Sequence, residues 1–210
     1  MKIRTAVFVS GGGTNLQALI DAQASGLIRS AELTLVVSNR RDAYALERAR
    51  AANIESVVVS RKKAGSQQAF EQAIARELEA RGIELIVLAG FMCILSADFT
   101  RRYENRILNV HPSLIPSFCG KGFYGLKVHE AALAYGVKVT GATVHFVNEV
   151  PDGGRIILQK AVEIEEGDTP ETLQRRVMEQ AEWKLLPAAV EKVSSDLLKG
   201  EQHAGADMKS

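Results

Sequence analysis

Asn109 and His111 stand two residues apart in the run Arg106-Ile-Leu-Asn-Val-His-Pro-Ser-Leu-Ile-Pro-Ser-Phe118. A carboxamide and an imidazole on alternate positions of a strand point the same way. Together they suit acyl-type chemistry: the imidazole moves a proton, and a carboxamide N–H steadies an oxygen that gains charge. Ile107, Leu108 and Val110 read as the end of a short buried strand. The pair then falls at its C-terminal end, where open α/β sheets place their ligands. Pro112 and Pro116 exclude both helix and ladder beyond it and leave a stiff loop. A core histidine paired to a carbonyl is the plain alternative, and the run alone does not separate the two.

A second candidate is Ser10-Gly-Gly-Gly-Thr-Asn15, which follows the β-branched run Ile3 to Val9 and precedes Leu16, Leu19 and Ile20 at helical spacing. Strand, glycine turn and helix start make an anion site, because backbone N–H groups and the positive helix end face the ligand. No lysine follows Gly13, and Leu16 stands where a dinucleotide loop has its third glycine, so a monophosphate fits better than a triphosphate or dinucleotide. A left-handed turn with no ligand is the alternative.

These residues need elements to hold them. The sequence predicts further strands at Leu33–Val37, Val57–Val59 and Leu85–Ala89, alternating with helices over 43–52 and around Phe70, Ile74 and Leu78. Arg61-Lys-Lys63 reads as a solvated loop. Ser96 or Asp98 caps a helix through Tyr103, and a helix around Val128 and Ala132 stops at Gly136. The glycine-rich Cys119–Gly125 segment reads as a surface excursion or lid. Val139 to Val147 alternates on a period of two, with His145 among its polar positions, and Pro151-Asp-Gly-Gly154 turns it back into Ile156–Ile164, predicting an antiparallel pair. Thr169 and Pro170 open a final helical segment that breaks before Pro187 and resumes to Gly200. The expected fold is α/β: a doubly wound, mostly parallel twisted sheet with an antiparallel C-terminal hairpin and a long C-terminal helical segment. One domain is expected over 1–200, with a disordered tail over 201–210.

Bulk properties exclude several classes. The formal net charge of the 210 residues is +1, which gives no support to a nucleic-acid or membrane-surface partner. The two cysteines, Cys93 and Cys119, lack metal or redox spacing. Without a signal peptide or a long apolar run, a cytoplasmic protein with reduced thiols and no metal is expected. Gly90-Phe-Met-Cys-Ile-Leu95 is an apolar loop past a strand end; it either lines a pocket for a flat ligand or belongs to the core. Asp152 alone is turn chemistry, and it becomes functional only if its hairpin lies beside His111.

Five segments together resemble the folate-dependent phosphoribosylglycinamide formyltransferases of purine biosynthesis: Ser10–Gln17, Ala89–Ser96, Asn109–Pro116, His145–Gly154 and Gln180–Glu182. The resemblance implies formyl transfer from 10-formyltetrahydrofolate to the amine of glycinamide ribonucleotide, by a monomer or homodimer. It implies His111 as general acid/base, Asn109 as oxyanion donor and Asp152 as the partner that favours the protonated form of His111. Gly13, Thr14, Asn15 and Pro112 would contact the ribonucleotide, and Glu182 its glycinamide or ribose end. Met92, Cys93, Ile94 and Leu95, with Asn148, Glu149, Val150, Pro151 and Asp152, would form the pterin slot, and Gln67 would stand toward the cofactor's glutamate side.

Departures from the family pattern accompany the match. Cys93 and Gln67 stand where relatives carry arginine, and Arg61, Lys62 or Lys63 could substitute toward the anionic tail. The Cys119–Tyr124 stretch is longer than usual. One extra residue lies between Val177 and Pro187: counting from the proline selects Glu182, counting from Val177 selects Ala181, and a carboxylate suits the role. A formyltetrahydrofolate deformylase is the alternative within the group, disfavoured because the chain starts at its first strand. A non-catalytic nucleotide-binding module using only the glycine loop is the alternative outside it. Formylation of methionyl-tRNA is disfavoured by the charge balance.

Overall fold

Ile3–Val9 forms the first strand, β1, and Ala6 to Val9 have no exposed surface. A strand buried on both faces belongs inside a parallel sheet. In the computed structural model, which describes the backbone of residues 1–207 and the side chains of 1–200, the chain divides into two compact units. The tail expected over 201–210 falls outside that fully described part.

The first unit holds residues 1–93 and the C-terminal helix from Pro187. β2 (Ala31–Ser38), β3 (Glu55–Val58) and β4 (Leu85–Leu88) join β1 in the order β3-β2-β1-β4, and all three pairings are parallel. Helices α1 (Thr14–Ala24), α2 (Ala45–Ala51), α3 (Arg61–Ala64) and α4 (Gln67–Ala80) intervene. α4 begins where Ser66 accepts the Ala69 N–H and buries the Phe70–Ile74–Leu78 stripe. The basic run Arg61–Lys63, expected as loop, is one turn of helix, although its side chains are exposed as anticipated.

The second unit spans Ile94–Leu186. Its sheet, β5 (Ile107–His111), β6 (Val139–Phe146) and β7 (Ile156–Glu163), is antiparallel throughout. Helix α5 (Ala97–Arg102) is capped by Ser96, and α6 (Leu126–Tyr135) ends at Gly136 with φ 82°. The fold class is the expected one: α/β with mainly parallel pairing and an antiparallel C-terminal hairpin. None of the described helices is long and apolar enough to cross a membrane.

The helical segment after Thr169 corrects one expectation. α7 (Pro170–Val177) opens on a Thr169–Thr172 capping box, passes into a π turn at Met178–Glu182, and continues as α8 (Trp183–Asp207) straight through Pro187. The helix does not break. Pro187 removes one backbone donor from α8, and the buried Leu185, Leu186, Ala189 and Val190 around it carry the helix through that gap. Both Ala181 and Glu182, the two candidates from the sequence, lie within the π turn, buried.

Two consequences can be measured. A Cβ at Gly141 in β6 would stand 2.0 Å from the Lys160 carbonyl oxygen and 2.9 Å from Leu114. Gly141→Ala should therefore cost roughly 1–3 kcal/mol or more and lower the thermal midpoint by about 2–4 °C per kcal/mol; an unshifted midpoint contradicts this packing. His129 in α6 is fully buried, and neither ring nitrogen has a hydrogen-bond partner. Burial, then the charge of His111, push its pKa down from 6.5 to about 4. The unfolded chain accepts a proton in that window and the folded chain refuses it. Stability is thus complete above pH 6.5 and falls toward pH 4, by roughly 3 kcal/mol at most. His129→Leu should flatten that part of the decline in thermal midpoint; an identical decline in the variant would count against it.

Candidate active site

The C-terminal end of β5 carries the two residues singled out in the sequence. Ile107 and Leu108 are fully buried, and Val110 and His111 nearly so, which anchors the strand and leaves Asn109 partly open. β6 lies antiparallel beside it, with Asn109 opposite His145 and His111 opposite Thr143. The loop after His111 is fastened to this ladder. The Thr143 hydroxyl donates to the Ser113 carbonyl (2.7 Å) and accepts the Ile115 N–H (3.1 Å) and a Gln159 amide N–H (2.9 Å). The Ile115–Pro116 peptide is cis.

That loop delivers the Phe118 carbonyl to 2.9 Å from His111 Nε2. On the other side of the ring, Nδ1 lies 3.5 Å from the Asp152 carboxylate. The carbonyl-bound histidine of the plain alternative and the carboxylate-paired histidine of the functional one are therefore both present. A carbonyl only accepts, so Nε2 carries a proton in this contact, while Nδ1 faces the carboxylate as an ion-pair contact.

Asp152 reaches this position from the loop between β6 and β7, held at φ 56°. The Asn148 side chain accepts the Val150 N–H, and the Gly153 N–H donates to the Val150 carbonyl. Gly154 permits the closest approach: a Cβ there would stand 1.7 Å from the Phe146 carbonyl oxygen. The Asp152 carboxylate accepts the Gly120 N–H at 2.8 Å and lies 3.6 Å from His145 Nε2. Its burial opposes ionisation, but the His145 ring, the Gly120 N–H and the His111 ring together hold its pKa below the usual carboxylate range. The carboxylate is charged at neutral pH. Glu182, in the π turn, is buried.

The glycine loop of the first unit is built as a backbone cradle. Gly13 caps α1 with φ 72°, and no side chain hydrogen-bonds as a cap at that helix start. A Cβ on Gly13 would meet that of Ala45 at 2.6 Å. The loop carbonyls are tied down: Gly11 accepts the Ala45 N–H, and Gly12 accepts Nε of Arg48, whose other arm reaches Gln17. Thr14 and Asn15 begin the helix. Arg48 was not legible as a loop brace, since it reads locally as one charge on an exposed helix.

The apolar loop divides by residue. In the first unit Met92 is 59% exposed, and the Cys93 thiol accepts an N–H from Asn39 at 3.0 Å. In the second, Ile94 is 72% exposed while Leu95 is buried. Only Leu95 behaves as core, and Val150 is also largely uncovered. Gln67 donates to Glu71 at 2.5 Å. The second unit thus brings together Asn109, His111 and Asp152, with Asn148 to Pro151 forming the Asp152 loop and Pro112 leading away from His111. His145, Phe118 and Gly120 complete the cluster without having been singled out; the signal available was His145 as a polar residue on a buried alternating strand.

This arrangement can be compared with known proteins. The formyl transferase family model matches residues 3–190. Trifunctional purine biosynthetic protein adenosine-3 of Gallus gallus is 47% identical over 92% of this chain, but the match spans only 19% of that protein. The phosphoribosylglycinamide formyltransferase of Haemophilus influenzae is 43% identical over 89% of this chain and 85% of its own length. Among solved structures, glycinamide ribonucleotide transformylase 1 from Symbiobacterium toebii superposes with a TM-score of 0.87 at 42% identity, covering 93% of this chain and 89% of that one. On the family match and the near full-length bacterial relative, the chain belongs to the formyl transferase family.

Proposed function

We propose that the chain transfers the formyl group of 10-formyltetrahydrofolate to the amine of 5'-phosphoribosylglycinamide, a step of de novo purine biosynthesis. The observation that carries this reading is the clustering of Asn109, His111 and ionised Asp152 at the end of β5. Relatives named for this reaction support the choice of substrates. Because the family model runs continuously over residues 3–190, both compact units are taken as one formyltransferase domain over 1–200.

The substrate amine attacks the formyl carbon and the carbonyl oxygen takes on negative charge. Asn109 donates an N–H to that oxygen, a contact typically worth about 3–4 kcal/mol in the transition state. The attacking nitrogen loses a proton and the departing folate nitrogen gains one, and His111 carries that transfer. Asp152 holds the ring in position and balances its charge. Since both ring nitrogens face acceptors, the Phe118 carbonyl is the partner that yields when His111 meets substrate. When the carbon–nitrogen bond to folate breaks, the products are the formylated ribonucleotide and tetrahydrofolate.

Gly13, Thr14 and Asn15 take the phosphate, a role supported by the left-handed glycine turn that opens α1. Glu182 takes the glycinamide or ribose end, supported by its burial as a carboxylate. For the pterin, the first unit offers Met92 and Cys93 and the second offers Ile94, Leu95 and Asn148 to Asp152; exposed Met92, Ile94 and Val150 are apolar surface that such a ligand would cover. Gln67 is engaged by Glu71, which makes it a poor partner for the cofactor's glutamate.

The test follows tetrahydrofolate release from 10-formyltetrahydrofolate with and without glycinamide ribonucleotide. Release only in the presence of the ribonucleotide is expected. Release without it would identify a deformylase, and no release in either case would overturn the reading. His111→Asn should fold and bind normally while turnover falls roughly 10²–10⁴-fold; undiminished turnover would remove His111 from the chemistry.

A further inference from the structure

We propose that His145 is a positioning residue for this transfer: its ring, oriented by the Phe146 carbonyl, accepts one N–H of Asn109 and fixes the carboxamide with its second N–H free for the reacting oxygen. The assignment rests on the formyl-transfer reading above, but its geometry stands independently. His145 is buried and cross-strand from Asn109 in the β5–β6 ladder. The β6–β7 register shifts between Val144 and His145, an irregularity of the kind that re-aims a side chain.

The hydrogen bonds select one form of the ring. His145 Nδ1 lies 2.8 Å from the Phe146 carbonyl, which can only accept, so Nδ1 carries a proton. Nε2 lies 3.2 Å from Asn109 Nδ2, which can only donate, so Nε2 presents its lone pair. The neutral ring protonated on Nδ1 satisfies both contacts. The charged groups facing it are Asp152, at 3.6 Å and beyond hydrogen-bond length, and His111, which shares that carboxylate. The Phe146 carbonyl is itself fixed, because the Phe146 N–H donates to the Arg155 carbonyl and Gly154 packs against it.

An amide side chain has nearly the same shape when turned by half a turn about its last bond. Without the His145 acceptor, Asn109 can present its oxygen to the developing oxyanion, which repels it. Orientation of this kind acts on the transition state and leaves substrate binding nearly unchanged.

Three measurements test the proposal. Nitrogen NMR of the His145 ring at neutral pH should show Nδ1 protonated and Nε2 bare; a proton on Nε2 overturns it, whatever the chain's activity and without need of a variant. His145→Leu should lower kcat by roughly 10–100-fold with KM nearly unchanged, and His145→Gln, which keeps an acceptor, should recover part of that loss. In an Asn109→Ala background, His145→Leu should cost no further rate; fully additive losses would show that His145 acts by another route. A wild-type chain that transfers no formyl group would overturn the underlying reading, a result distinguished from failed coupling by the wild-type rate itself.

Discussion

The site depends on one carboxylate. Asp152 is mostly buried, sits at positive φ, and accepts from the Gly120 N–H while facing both His111 and His145. A buried charge of this kind is costly unless several groups share it. Here the His111 ring on β5 and the Gly120 N–H of the loop past Phe118 do so, and each is thereby placed. The antiparallel ladder supplies the second constraint, because it sets Asn109 against His145 and His111 against Thr143. A residue shift in that register would send every one of these side chains to the opposite face.

The parts of the fold that were legible are those written in local period. The apolar run of β1, the glycines after it and the spacing of Leu16, Leu19 and Ile20 specify strand, turn and helix within about twenty residues. Asn109 and His111 were visible as a pair because alternation places them on one face of a strand. Asp152 was visible only through family resemblance, since Asp-Gly-Gly by itself says turn; its meeting with His111 depends on the pairing of β5 with β6, a contact that no local pattern encodes. The Phe118 carbonyl could not be found at all, because a backbone oxygen leaves no residue type to read. His145 was noted as a strand position, and only the cross-strand register gives it a partner.

The helix after Thr169 shows the same limit from the other side. Proline within a helical period argues for a break, and the argument is sound for an α-helix with four-residue spacing. Here the apolar residues on either side of Pro187 are buried and carry the helix through it, and the π turn at Met178–Glu182 keeps Ala181 and Glu182 both inward. Likewise Arg48 is an unremarkable helical charge in sequence, yet it holds the carbonyl of Gly12 and reaches Gln17 at the start of α1. The residue that fixes that carbonyl lies a whole strand–helix unit away.

The central claim is that ionised Asp152 organises the acid/base group. Its most direct test is kcat of Asp152→Asn against the wild type across pH, with 10-formyltetrahydrofolate and glycinamide ribonucleotide both saturating. Asparagine keeps the shape and can still accept the Gly120 N–H but has no charge to share with His111. The account predicts kcat lower by roughly 10²–10⁴-fold with an altered pH profile and a folded chain. Wild-type kcat with an unchanged profile would contradict it.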